Sequence, residues 1–100
     1  VYVAANWDRC ISVFTRDKIS GTLTFFEVLR DGVNGVEGIH GASSITVSPD
    51  GANIYAAGYS QGSIAMFERD GNTGALTFMD ALRDGVNGID GLDGASSVTV

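Results

Sequence analysis

One hundred residues make about one domain, and a hydrophobic content of 44% with 9% aromatic residues can fill its core, which excludes wholesale disorder. Twelve acidic against six basic residues leave a formal charge of −6, so neither nucleic acid nor an anionic membrane surface is a natural partner. No apolar run approaches the roughly 20 residues of a membrane helix, and a single cysteine, Cys10, excludes an internal disulfide or a cysteine-built zinc cage.

The chain opens on Val1-Tyr2-Val3, which already reads as the inside of a strand, with no initiator methionine and no basic-then-apolar leader. The expectation is a piece of something longer, or a unit that needs copies of itself. An ungapped offset of 53 residues lays the chain on itself. Val1-Tyr2-Val3-Ala4 falls on Ile54-Tyr55-Ala56-Ala57, and Ile11-Ser12-Val13-Phe14 on Ile64-Ala65-Met66-Phe67. Leu29 to Gly35 recurs unchanged at Leu82 to Gly88, and Ala42 to Val47 returns at Ala95 to Val100 with one Ile-to-Val exchange. Of the 47 positions that overlap, 24 are identical. A period of this length signals one supersecondary unit stacked on its neighbours, here residues 1–47 and 48–100, and not two independent domains.

Each repeat reads as strands. In chain order the first repeat supplies three, within Val1–Leu29. The second runs through strand a (43–48), b (53–58), c (63–69) and d (75–82), and a lone strand a follows at 96–100. Ser44 to Ser48 alternates polar and apolar residues with period two. Ser48-Pro49-Asp50-Gly51 separates a from b, with Pro49 presetting φ and Gly51 free to take a positive one. Tyr59-Ser60-Gln61-Gly62 and Asp70-Gly71-Asn72-Thr73-Gly74 mark the next two turns. Four strands per repeat of this length give an all-β chain of β-propeller blades, four-stranded antiparallel sheets in permuted register. The first sheet then lacks its inner strand and the terminal strand lacks partners, two open edges that are complementary to one another.

The runs Val47-Ser48-Pro49-Asp50-Gly51, Ile54-Tyr55-Ala56-Ala57-Gly58, Ile64-Ala65-Met66-Phe67 and Thr73-Gly74-Ala75-Leu76-Thr77 resemble the blade of lactonase-type β-propellers. That family includes 6-phosphogluconolactonase-like enzymes, and its blades are similar to the YVTN-type repeats of microbial surface proteins. Val1 to Asn6 matches the same second-strand signature. The resemblance implies the architecture along the whole chain. It assigns no catalytic residue, since such repeats occur in enzymes, adhesins and secreted proteins alike. The family's enzymes are typically single chains of seven blades, and here each repeat carries an unusual insert, Asp84 to Gly94 in the second copy.

Oxygen-bearing side chains recur through that insert at every third residue, Asp84, Asn87, Asp90 and Asp93, each followed by glycine. Calcium prefers six to eight oxygen ligands on a flexible loop, so calcium is a possible cofactor there. The first copy reads Asp31, Asn34, Glu37 and His40, and histidine is a poor calcium ligand. The preferred reading is that Asp-Gly and Asn-Gly pairs build successive turns from strand d to the next strand a, with Val86, Ile89 and Leu92 packed beneath. His40 beside Glu37 and Ser43 is not part of the repeat plan, since Asp93 replaces it, and no strained Gly-x-Ser-x-Gly elbow is present. Arg16-Asp17, Arg30-Asp31 and their copies are expected to brace loops. Trp7, Asp8, Arg9 and Tyr59 stand at b–c turns, on the face that the inserts share, and form the candidate surface for a carbohydrate or protein ligand.

A non-enzymatic repeat module is the leading expectation, with blades completed by other copies, as a ring or a filament, or by neighbouring blades of a longer chain. Three copies close six blades and four close eight. The alternative is part of a lactonase-type hydrolase acting on cyclic esters. Near-identical blades favour the first, because one central active site asks a different group of each blade. An acidic, glycine-rich composition suits a secreted or cell-surface microbial protein.

Overall fold

The computed structural model describes residues 1–100. Alternating residues punctuated by turn formers give seven strands: β1 (Tyr2–Ala5), β2 (Cys10–Arg16), β3 (Leu23–Arg30), β4 (Ala42–Val47), β5 (Asn53–Gly58), β6 (Ser63–Arg69) and β7 (Leu76–Arg83). Neighbours in the chain pair antiparallel, in one sheet β1-β2-β3 and a second β4-β5-β6-β7. The second is a complete blade, and the first is the same blade without its inner strand. The only helix is a 3-10 turn at Tyr59–Gln61, and no helix is long and apolar enough to cross a membrane.

Local chemistry sets the turns. In the β4–β5 turn the Gly51 N–H donates to the Ser48 carbonyl at 2.9 Å with Gly51 at φ 74°. Asp50 Oδ1 accepts from the Ser48 hydroxyl at 2.6 Å and from the Ala52 N–H at 3.0 Å. In both β2–β3 and β6–β7 the ladder slips at the phenylalanine, between Val13 and Phe14 and between Met66 and Phe67. The bulge sits next to an edge-to-face ring pair, Phe14 with Phe25 and Phe67 with Phe78.

Residues 96–100, expected as a strand, form no ladder, and neither does Ala95. They lie beside β4, where the Val98 N–H donates to Ser44 Oγ at 3.3 Å and the Ser43 hydroxyl to the Ala95 carbonyl at 3.4 Å. In the repeat plan strand a pairs with the strand b that follows it, as β4 pairs with β5, and no such strand lies beside residues 95–100.

The core lies between the two sheets. Ile11 and Val13 of β2 are buried against a cluster that includes Ile54, Ala56, Ala65 and Phe67 of the second sheet. The repeat mates of Ile11 and Val13 are Ile64 and Met66, which are only half-buried. The two blades therefore bury opposite faces of the same strand plan, and stacking of unlike faces holds the molecule together. Polar contacts also cross the seam. Tyr2 Oη accepts from Arg69 Nε at 2.8 Å and donates to the Gly74 carbonyl at 2.7 Å. Glu27 Oε2 accepts from the Leu76 N–H at 3.0 Å. The buried Ser63 hydroxyl donates to the Gly38 carbonyl at 2.8 Å.

Phe67→Ala, made at a fully buried ring, is expected to cost about 3–5 kcal/mol in urea-induced unfolding. Phe14→Ala at the equivalent, half-buried position of the first blade is expected to cost clearly less, and equal losses would contradict this account of the seam.

Candidate functional site

In a four-stranded meander the b–c and d–a connections leave from one end. Here these are residues 6–9 and 59–62 for b–c, and the inserts 31–41 and 84–94 for d–a. Backbone bonds stitch the two kinds of loop together. The Asp31 N–H donates to the Arg9 carbonyl at 2.9 Å, the Asp84 N–H to that of Gly62 at 2.8 Å, and the Tyr59 N–H to that of Gly41 at 3.1 Å.

The inserts are built twice from the same chemistry. Asp31 Oδ1 accepts from the Ile39 N–H at 3.2 Å, and Asp84 Oδ1 from the Leu92 N–H at 2.8 Å. Gly32 N–H closes on the Val36 carbonyl at 2.8 Å, and Gly85 N–H on that of Ile89 at 2.7 Å. Asn34 and Asn87 both stand at φ 54°, the left-handed region asparagine tolerates, with a glycine next in line. Of the four oxygen-bearing residues, Asp84 is thus occupied by its own loop, while Asn87, Asp90 and Asp93 are exposed. No three of the His, Cys, Asp and Glu side chains gather in a group that could hold a metal ion. Beneath the first insert Val36 and Ile39 are buried, whereas their mates Ile89 and Leu92 are half-buried and Val86 is exposed.

Trp7 stands free of its blade, 96% exposed, and Asp8 and Arg9 beside it are exposed too. Tyr59 is also exposed, its ring resting over Gly94 of the second insert. Arg9 holds φ 53° where the second repeat has Gly62 at φ 57°. An L-residue is strained there, so arginine is kept at this turn against its backbone preference. The structure thus puts Trp7, Asp8, Arg9, Tyr59 and both inserts at one end of the sheets. His40 is half-buried, and Cys10 is buried and unpaired.

Two features of this end escape a reading of residue types. Arg83 Nη2 lies 3.7 Å from Glu37 Oε1, joining the second blade to the first insert. The side-chain Oε1 of Gln61, the mate of Asp8, is enclosed without a hydrogen-bond donor. Only the fold brings Arg83 to Glu37, because 46 residues separate them in sequence. Arg69 does brace loops as expected, its Nη1 donating to the Gly51 carbonyl at 3.1 Å.

The perturbed carboxylates lie at the opposite end. Backbone N–H groups of Ser20 and Ile19 hold Asp17 below the usual aspartate range, and those of Thr73 and Asn72 do the same for its mate Asp70. Asp50 is lowered by the Ser48 hydroxyl and then the Ala52 N–H. These are turn-closing groups, and none is placed for acid–base chemistry on the loop face.

A family model for lactonases with a seven-bladed β-propeller matches residues 1–85. Solved structures of similar fold include a protein from Bacteroides uniformis described as a putative 6-phosphogluconolactonase. It is 24% identical, with a TM-score of 0.69, and 84% of this chain and 23% of that one are covered. A functionally unknown protein from Desulfotomaculum acetoxidans is 18% identical with a TM-score of 0.67, covering 84% and 23%. The periplasmic gluconolactonase of Pseudomonas aeruginosa is 21% identical with a TM-score of 0.58, covering 83% and 24%. The chain therefore spans about a quarter of the length of these solved proteins, and the likeness to them is one of fold. No curated protein matches the chain.

Arg9→Gly is expected to stabilise the chain by about 0.5–1 kcal/mol, because relief of the left-handed strain exceeds the added freedom of the unfolded glycine. A lowered urea midpoint would show that the arginine side chain holds the turn. Because Asp17, Asp50 and Asp70 are lowered on folding, their stabilisation is complete above about pH 5 and is lost as pH falls through the ordinary aspartate value and then the lowered ones. Asp70→Asn is expected to flatten that acid limb of a stability–pH profile.

Proposed function

The chain belongs to the lactonase family of seven-bladed β-propellers, and from that premise we propose that it is a non-enzymatic repeat module with a structural or binding role. Its blades are completed by strand exchange, with other copies or with the rest of a longer chain. The observation that carries this reading is the pairing left open in β1. Residues 95–100 repeat the sequence of β4 and form no ladder, while β1 pairs on one side only, with β2. Transferring the β4–β5 register by one repeat sets Ser97 opposite Ala4, Val98 opposite Val3, Thr99 opposite Tyr2 and Val100 opposite Val1. A free edge and a free strand that match in register are each an aggregation liability alone and a complete blade together.

The recurrence of 24 of 47 positions between the blades supports the non-enzymatic half of the reading. Both inserts offer the same turns and both Arg-Asp pairs recur, so an assembly presents one surface many times in place of one differentiated centre. Trp7 and Tyr59 beside the inserts form the contact surface of this module, an exposed aromatic pair among charges that suits carbohydrate or protein. Whole pairs of blades close as six or eight and not as seven. A second reading, hydrolysis of a sugar lactone, is favoured by the family match and by the relatives named as gluconolactonases.

Two measurements separate these readings. The native mass of the 100-residue chain at micromolar concentration is expected to be that of a trimer or tetramer. The same preparation is expected to leave the ring opening of δ-gluconolactone, followed by acid release, at its buffer rate. Turnover above that rate would establish the hydrolase reading.

A further inference from the structure

Both inserts carry the dipeptide Asn-Gly at their first reversal, Asn34-Gly35 and Asn87-Gly88. We propose that these two asparagines are sites of covalent modification, at which the side-chain amide is lost and aspartyl and isoaspartyl residues form. The reaction depends neither on assembly nor on lactone hydrolysis.

Each asparagine stands at φ 54° and the glycine after it at φ 80°, the two corners of a tight turn. One bond closes that turn, from the Val36 N–H to the Val33 carbonyl at 3.1 Å and from the Ile89 N–H to the Val86 carbonyl at 3.1 Å. All four residues are exposed, and the N–H groups of Gly35 and Gly88 donate to no backbone carbonyl. Asn34 lies on the connection between the two blades, so it is open to solvent with a blade on either side. Glycine also brings no side chain to shield its nitrogen or to restrict rotation about it.

Opening of the turn lets the asparagine ψ rotate and brings the glycine nitrogen against Cγ. A bond forms from that nitrogen to Cγ, the Cγ–Nδ2 bond breaks, and the glycine proton leaves with the amide nitrogen as ammonia. Water then adds its hydroxyl to one carbonyl of the five-membered imide and returns a proton to the nitrogen. Attack at Cγ leaves aspartate, whereas attack at the main-chain carbonyl leaves glycine joined through Cγ, an isoaspartate. One water is consumed and one ammonia released, and the loop face gains a negative charge. The isoaspartyl form also lengthens the backbone within a turn that lies next to buried Val36.

The other three asparagines are placed differently. The N–H that follows Asn72, that of Thr73, donates to Asp70 Oδ1 at 3.0 Å. Asn53 is in strand β5, its Nδ2 donating to the Phe67 carbonyl at 3.4 Å, with fully buried Ile54 next in the chain. Asn6 precedes the bulky Trp7.

The test incubates the folded chain at mildly alkaline pH and follows each asparagine by tryptic peptide mass spectrometry, with fragmentation to locate the change and separate isoaspartate from aspartate. Asn34 and Asn87 are expected to convert about tenfold faster than Asn6, Asn53 or Asn72, with isoaspartate among the products. A Cβ at Gly35 would meet nothing within 4 Å, so Gly35→Ala shields the nitrogen without a clash. That variant, with its fold checked by circular dichroism, is expected to slow Asn34 and leave Asn87 unchanged. Conversion in the urea-unfolded chain but not in the folded one would overturn the proposal, because the turns would then hold the nitrogen away from Cγ. Equal rates at all five asparagines, or at Asn34 and Asn87 in the Gly35→Ala chain, would overturn it too.

Discussion

A propeller blade is a thin antiparallel sheet with two apolar faces, and it cannot shield both by itself. This need for a neighbour governs both the packing and the loops. Between the two sheets it is met: Ile11 and Val13 from one blade and Ala65 and Phe67 from the other form a buried seam, with Tyr2, Arg69, Glu27 and Ser63 making its polar contacts. A buried polar group left without a partner costs more than the bond it makes is worth, so these contacts act chiefly to specify register.

The loops follow from the same stacking. Carrying the chain from the outer strand of one blade to the inner edge of the next requires a long reach, and the inserts cover it in a succession of tight turns. Glycine or asparagine supplies the positive φ at each reversal, and Asp31 or Asp84 closes the loop on its own backbone. The regular spacing of oxygen-bearing residues thus has a conformational cause. Loops made this way are repeated and largely solvent-facing.

Much of this was legible in the residues. A 53-residue period, alternating apolar positions and turn formers such as Ser48-Pro49-Asp50-Gly51 specify strands whose observed limits agree with the pattern to within about two residues. Turn chemistry is local, involving donors and acceptors no more than eight residues apart, and so it can be read without a fold. The Arg83–Glu37 pair could not be read that way, because its two partners come from different repeats.

Periodicity and short-range hydrogen bonding suffice to specify the all-β class, the repeat, the strand order and the turns. Which face of each strand is buried depends on the stacking of the blades. Ile11 and Ile64, or Phe14 and Phe67, are the same residue in the same local pattern, and stacking alone makes one of each pair core and leaves the other part-open. The fate of residues 95–100 was decided there too. Their strand propensity equals that of β4, but a strand exists only where another backbone accepts and donates its hydrogen bonds.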